Sequence, residues 1–228
     1  MKELLTEIER DAFFVHIIFA ITCAVILLIP IDLKIGIRLF LLVIIYNLAV
    51  PIVGLWRKHH EWVKIWLFAF ILSLFQVFPD WFLSAQLEIL VFPEDGLFKI
   101  GTVSGYMLLL WAIPLFIILF VGQRVQERYS LDMAYFSVGL LSLLIFGISE
   151  MTMWMVGSWY AQNVTMIGHM AVYIIIPEII LGLMTYDTYL TIQEKNHWLK
   201  IPAGFIVMLV YLGSAAFFYF LIERVIIS

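Results

Sequence analysis

Charge and cysteine are both scarce in this chain. Charged residues make up 13% of its 228 residues, compared with about 25% in an ordinary soluble domain. The net charge is −4 and no basic tract occurs, which argues against a nucleic-acid-binding protein. Cys23 is the only cysteine, so an internal disulfide is excluded. Hydrophobic residues, by contrast, make up 64% of the chain and aromatic residues 16%. This composition predicts a multi-pass membrane protein.

Seven weakly charged stretches are each long enough to cross the hydrocarbon core of a bilayer, which takes about 20 residues of helix. We therefore expect an all-α fold in which residues 1–228 form a single transmembrane domain. The seven helices are predicted at residues 12–31, 36–56, 62–83, 101–122, 132–157, 167–190 and 201–222.

Lysine and arginine are unevenly distributed between the two sides of the membrane in this arrangement. Nine of them fall on the side of the N-terminus and four on the other side. Because cytoplasmic loops carry an excess of Lys and Arg, we expect a cell-membrane protein with its N-terminus in the cytoplasm and its C-terminus outside. The nine are Lys2, Arg10, Arg57, Lys58, Lys64, Arg124, Arg128, Lys195 and Lys200, and the four are Lys34, Arg38, Lys99 and Arg224.

The connection between the third and fourth stretches, residues 84–100, mixes apolar and acidic residues. Leu87, Leu90 and Phe92 lie close in sequence to Glu88 and Glu94. A short amphipathic segment of this kind is typical of a helix that lies in the membrane interface. We therefore predict a short interfacial helix near residues 84–100. In the other outer connection, Trp159 and Tyr160 fit an aromatic interfacial belt.

Residues 62–122 and 132–192 share one order of features, which suggests a parallel internal repeat. Each unit has a stretch with an acid towards its end, an amphipathic connection, an Ile-Gly pair, and a second stretch with a central proline. The corresponding residues are Asp80, Ile100-Gly101 and Pro114 in the first unit and Glu150, Ile167-Gly168 and Pro177 in the second. Both units cross the membrane in the same direction, unlike the inverted repeats of many transporters.

Glu178 is the most unusual residue of the sequence, because it lies in the middle of an otherwise apolar stretch. A charged group at that depth costs about 3 kcal/mol or more, so it normally faces an internal cavity. Asp80 ends the third stretch and Glu150 lies in the outer part of the fifth. We expect Glu178, Asp80 and Glu150 to meet around one cavity as the catalytic residues.

A poorly solvated carboxylic acid can protonate an alkene or an epoxide, and a second carboxylate can take a proton back. Aromatic rings around the same space stabilise a carbocation through their faces. We expect five aromatic residues to bind such a substrate, namely Trp81, Trp154, Trp111, Tyr106 and Tyr173. No metal or other cofactor is predicted, since His59-His60-Glu61 has no further His or Cys nearby.

Other interpretations of these acids stay open at this point. Asp80 at a helix end is also compatible with simple hydration, and Glu150 with a hydrogen bond between helices. Intramembrane acids also mark proton relays, so a proton-coupled transporter or channel is the main alternative. A structural membrane protein is a further one. The last stretch contains no central lysine, which argues against a retinal-binding rhodopsin.

Residues 70–190 resemble the integral-membrane lycopene cyclases, and more distantly the carotenoid hydratases and the seven-helix meroterpenoid cyclases. The lycopene cyclases carry Pro-x-Glu-Glu in each of two repeated units. The corresponding positions here are Pro114-Leu115-Phe116-Ile117, which has no acid, and Pro177-Glu178-Ile179-Ile180, which has one. Pro79-Asp80-Trp81 is similar to a Pro-Trp-Asp-type segment of that family. The resemblance implies a shared fold and an acid-initiated cyclisation of a hydrophobic isoprenoid, with two acids and no metal.

Overall fold

The computed structural model describes residues 5–30 and 32–227. Lys2, which entered the charge count, and residue 31, the predicted end of the first stretch, lie outside these ranges. Over the described residues the chain is mostly helical, and seven helices are long and apolar enough to cross a membrane. This confirms a mostly helical fold with the predicted number of helices that could span a membrane. We label them α1 Glu7–Leu28, α2 Ile35–Trp56, α3 His60–Gln86, α4 Met107–Arg128, α5 Leu131–Val156, α6 Val172–Ile192 and α7 His197–Ile226.

Several of these helices end in turns of different pitch. The last turn of α3, Phe82–Gln86, is π-helical, and Leu221–Ile226 closes α7 in the same way. Helix α4 is interrupted at Trp111, between Met107–Leu110 and Ala112–Arg128. Pro114 lies in the first turn after this break, and its ring nitrogen has no hydrogen to donate to the carbonyl of Leu110.

The prediction of an interfacial helix near residues 84–100 is wrong. After Gln86 the chain forms three short strands, β1 Leu90–Val91, β2 Lys99–Ile100 and β3 Val103–Ser104. The connection between α5 and α6 also contains three short strands, β4 Tyr160–Ala161, β5 Met166–Ile167 and β6 Met170–Ala171. Two local features prevent a helix from forming in this segment. Glu88 has a positive φ, and Pro93 cannot donate a backbone hydrogen bond.

Strands β2–β3 and β5–β6 form two hairpins with the same register. Ile100 pairs with Val103 in the first hairpin and Ile167 with Met170 in the second. Gly101 and Gly168 occupy equivalent turn positions with φ of 62° and 64°, a conformation that glycine adopts without strain. These turns explain why α4 and α6 begin at residues 107 and 172, later than the predicted 101 and 167.

Strand β1 pairs with β4 in antiparallel fashion, which joins the two connections to each other. Leu90 lies opposite Ala161 and Val91 opposite Tyr160. Gln162 extends this contact, because its backbone amide donates to the carbonyl of Ile89 at 2.9 Å and its side-chain amide to the carbonyl of Glu88 at 3.0 Å. We call the end of the bundle that carries all six strands the strand end.

Helix α4 is central in the bundle and contacts α2, α3, α5 and α6, while α7 packs between α3 and α6. Helix α1 contacts α2 at the edge and is the least buried of the seven. Glycine allows the closest approach between α5 and α6, because a Cβ at Gly182 would overlap the side chain of Ser142.

The opposite end of the bundle is held by ion pairs, and we call it the ion-pair end. Arg57 binds Glu7 at 2.6 Å and Asp11 at 2.7 Å, which joins α1 to the end of α2. Arg124 of α4 binds Glu61 of α3 at 2.5 Å. Further pairs join Lys64 to Glu194 and Arg128 to Glu9.

Candidate functional site

A cavity of about 200 Å³ lies within the bundle below the strand end. Side chains of α3, α4, α5, α6 and α7 form its walls, and Leu90, Phe92, Trp159 and Ala161 of the two connections border it at the strand end. The lining is predominantly apolar, and its acidic groups are Asp80, Glu150 and Glu178. The three acids singled out in the sequence therefore share one cavity.

Asp80 comes from the last part of α3 and is 3% exposed. Its Oδ2 accepts a hydrogen bond from Nε1 of Trp111 at 3.0 Å. Trp111 lies at the break in α4, so the helix interruption places its indole beside the acid. Asp80 is not a hydrated helix end, because it is buried in the cavity wall.

Glu150 comes from α5 and is half-buried. Its Oε1 accepts a hydrogen bond from Nε1 of Trp159 at 2.8 Å. Trp159 is 8% exposed and lines the cavity, which corrects the expectation of an interfacial belt for this residue. The preceding Gly157 adopts a left-handed conformation with φ of 71° and turns the chain back over the bundle, so that the indole lies against the acid.

Glu178 comes from the first turns of α6 and is 4% exposed. Among the described residues, none forms a hydrogen bond or an ion pair with its side chain. Pro177 precedes it and cannot donate to the carbonyl of Tyr173, one turn earlier. The three acids thus differ in their surroundings: an indole N–H fixes Asp80 and Glu150, whereas Glu178 faces the cavity without a donor.

Two of the five predicted substrate-binding aromatic residues, Trp111 and Tyr173, line the cavity. Two aromatic residues that the sequence did not single out, Phe146 and Tyr211, line it as well. The ring of Trp111 contacts both of them, with centroids 5.4 Å from Phe146 and 5.8 Å from Tyr211. Tyr211 lies in an apolar run of α7. Its hydroxyl group in that run is the feature by which the sequence could have identified it as a cavity residue.

Trp81, Trp154 and Tyr106 do not line the cavity, which corrects the expectation that all five rings share one space. Trp81 is 40% exposed and packs near Gly101. Trp154 is 38% exposed and contacts His169, with the rings tilted by 31° and their centroids 4.1 Å apart. Tyr106 is fully buried, but its hydroxyl is engaged 2.6 Å from Oγ of Ser158. Trp154 and Tyr106 therefore contact residues of the connection between α5 and α6. Trp81 lies on the outward side of α3.

The bundle between the cavity and the ion-pair end is filled by packed aromatic rings. Phe116 and Phe120 stack in parallel with centroids 6.0 Å apart, and Trp62 contacts both edge-on at 6.1 Å. All three are less than 10% exposed. Among the described residues, no group of three or more His, Cys, Asp or Glu side chains is arranged to hold a metal ion.

Comparison with known proteins gives one match. Residues 77–222 match the family model described as a domain of unknown function, DUF6989. No curated protein and no solved structure matches the chain. The matched range is more than half of the chain. It contains all three cavity acids and the two tryptophans that donate hydrogen bonds to Asp80 and Glu150. The chain therefore belongs to the DUF6989 family.

Proposed function

We propose that this protein is a membrane-embedded isoprenoid cyclase that uses acid-initiated, metal-independent carbocation chemistry on a terpene, meroterpenoid or carotenoid. One observation carries the proposal: three carboxylic acids and several aromatic rings surround one predominantly apolar cavity inside a membrane-spanning bundle. A buried acid normally has a functional reason in such a place. The distribution of Lys and Arg supports an orientation with the N-terminus in the cytoplasm, which in a cell membrane would place the cavity near the outer leaflet.

Glu178 is the proton donor in this mechanism. A carboxyl group that receives no hydrogen bond and faces an apolar space is best suited to carry a proton. Its proton adds to one carbon of a terminal alkene, or to an epoxide oxygen, and a tertiary carbocation forms. The π electrons of a second alkene in the same chain then make the new carbon–carbon bond and close the ring, and the positive charge moves to the next carbon.

Asp80 and Glu150 are the proton acceptors in this mechanism. A hydrogen bond from an indole N–H favours the ionised form of a carboxyl group, and each of these two acids receives one. One of them removes a proton from the carbon next to the cation, and a new alkene forms. One proton enters and one leaves, so an alkene-initiated substrate gives a product of unchanged mass.

The aromatic lining stabilises the cationic intermediates. Tyr173 and Tyr211 lie on the α6 and α7 side of the cavity and Trp111 lies on the α4 side. The face of an aromatic ring attracts a desolvated cation by about 2 kcal/mol. A carbocation in the cavity beside these rings is protected from water, because most of the lining is apolar.

The main alternative is a proton-coupled transporter or channel, in which Glu178 binds the coupled proton. Such a protein needs access to the acid from both membrane faces. The stacked rings of Phe116 and Phe120 and the ion pairs beyond them occupy the route towards the ion-pair end, which favours the cyclase. A purely structural role does not explain why three acids line one apolar cavity.

A test of this function is expression of the chain in a host that makes linear isoprenoids, followed by mass spectrometry of the lipids. We expect ring-closed isomers of unchanged mass with the natural chain and about 100-fold less product with Glu178→Gln, since general acids contribute at least that factor. Glu88→Gln is the matched control, because Glu88 is an exposed acid outside the cavity. Full activity in Glu178→Gln would remove the proposed donor. No lipid change, together with proton-coupled solute uptake in vesicles, would favour the transporter.

A further inference from the structure

The residues that line the cavity are not equally buried. The lining residues of α3, α6 and α7 are all buried, including Leu83, Ile174 and Tyr211. By contrast, most lining residues of α4 and α5 are only half-buried, and together they form one face on each helix. They are Leu110, Trp111, Ile113, Pro114 and Ile117 on α4, and Ile145, Ser149, Glu150 and Met153 on α5. The exposed side of the cavity is therefore the crevice between these two helices.

The packing of α4 against α5 explains where this crevice begins. Towards the ion-pair end the helices are in tight contact, because a Cβ at Gly122 would lie 2.7 Å from Cγ2 of Val138. Further towards the strand end, Ile117 of α4 and Ile145 of α5 both border the cavity. The break at Trp111 lies along this part of α4.

The strand end of the cavity is closed. Of the four residues that border the cavity there, Phe92, Trp159 and Ala161 are less than 10% exposed, and Leu90 is half-buried within the β1–β4 pair. The pairing of β1 with β4 holds this roof together. A polar groove outside the roof shares Leu90 and Phe92 with the cavity, so these two side chains form the wall between the groove and the apolar interior.

The crevice is mainly apolar along its edges, and the carboxyl group of Glu150 at its border accepts the hydrogen bond from Trp159. Its borders are mainly isoleucine, leucine and methionine, and the hydroxyl of Ser149 donates to the carbonyl of Ile145 within its own helix. The neighbouring outward side of α5 carries exposed leucines, such as Leu140 and Leu144. In a membrane-spanning helix such a surface contacts hydrocarbon. A charged diphosphate would have to lose its hydration to pass there.

We propose that the cavity opens sideways, through a portal between α4 and α5, into the hydrocarbon region of the bilayer. The ligand that passes is an uncharged isoprenoid chain dissolved in the lipid, and it reaches the acids without crossing the strand end. The identity of this ligand rests on the proposed function, whereas the portal rests on the burial pattern and the closed roof.

The portal can be tested by reversible closure with cysteine pairs in a Cys23→Ala background. Ile117→Cys and Ile145→Cys lie on the two sides of the portal, and Val91→Cys with Tyr160→Cys spans the roof at paired positions that do not line the cavity. Each pair is joined by a bis-methanethiosulfonate reagent that a reductant cleaves. The probe is a diazirine-bearing farnesol in phosphatidylcholine vesicles, and the readout is the initial rate of photolabelling of cavity residues.

We expect the portal cross-link to slow labelling about tenfold or more, as closure of a gate does, and the reductant to restore the rate. The roof cross-link should leave the rate unchanged. Slower labelling with the roof pair alone, or with neither pair, would overturn the portal, as would a natural chain that the probe does not label. A chain that takes up the probe through the portal but forms no cyclic product would instead refute the proposed function.

Discussion

At the residue scale, the three acids of the cavity differ in their hydrogen bonds. Asp80 accepts from Trp111 and Glu150 from Trp159, while Glu178 receives no donor from the described residues. An N–H···O bond to a carboxylate contributes about 1.5–3 kcal/mol. A difference of this size is enough to favour the ionised form in Asp80 and Glu150 over that in Glu178. The proposed division into one donor and two acceptors therefore rests on the two indole hydrogen bonds.

Replacement of Trp159 by Phe keeps a ring in the cavity wall and removes the indole N–H that Glu150 accepts. We expect cyclisation to slow by about tenfold or more, since that hydrogen bond is worth at least about 1.5 kcal/mol, and the double-bond position of the product to shift if Glu150 is the terminal base. Product analysis by mass spectrometry and NMR measures both.

Trp81→Phe is the matched control for this substitution, because Trp81 is an exposed tryptophan outside the cavity. An unchanged rate and an unchanged product in Trp159→Phe would leave Asp80 as the acceptor. Equal losses in both variants would point to a general effect on folding.

At the element scale, short strands and close helix contacts define the shape of the cavity. Two hairpins of equal register delay the start of α4 and α6, and the β1–β4 pair closes the strand end. Helices α5 and α6, which carry Glu150 and Glu178, approach each other where Gly182 faces Ser142. This contact lies one turn beyond Glu178, so it fixes the position of Glu178 relative to Glu150.

We expect Gly182→Ala to lower the free energy of unfolding by about 1–3 kcal/mol, the usual cost of overpacking, because the added Cβ overlaps Ser142. Ser142→Gly in the same chain should restore part of the loss. Thermal or denaturant unfolding in detergent micelles measures the change.

Gly213→Ala is the control, since a Cβ at that position of α7 meets no atom within 4 Å. It should be neutral or stabilising by up to about 1 kcal/mol, the difference in helix propensity between alanine and glycine. Equal behaviour of the two alanine variants would contradict the close contact.

At the scale of the whole molecule, the two ends of the bundle are built differently. Ion pairs join five helices at the ion-pair end, while strands and a polar groove form the other end. The cavity is displaced towards the strand end, and stacked aromatic rings fill the remainder. In the proposed orientation, which has the N-terminus in the cytoplasm, the strand end faces outward.

This orientation predicts which positions a membrane-impermeant maleimide reaches in intact cells. In a Cys23→Ala background, Gln162→Cys at the strand end should be labelled from outside. Lys195→Cys, in the connection between α6 and α7, should be labelled only after the membrane is permeabilised. The reverse result would invert the topology and place the cavity near the cytoplasmic leaflet.

The sequence by itself determined the class of the protein, the number of its helices and the three acids that share the cavity. Hydropathy is a local property, so a stretch of about 20 apolar residues is readable as a spanning helix without knowledge of its neighbours. The acids were recognisable for the same reason, because a carboxyl group in an apolar stretch stands out wherever the chain folds.

Only the tertiary structure decided which aromatic rings line the cavity, how its strand end is closed and where it opens. Trp159 reaches Glu150 because Gly157 turns the chain back, and Leu90 pairs with Ala161, far away in sequence. A strand of two residues has no periodicity of its own, and it is stabilised by backbone hydrogen bonds to a distant partner. The burial of Tyr211 and the exposure of Trp81 depend likewise on how the helices rotate when they pack, which composition does not specify.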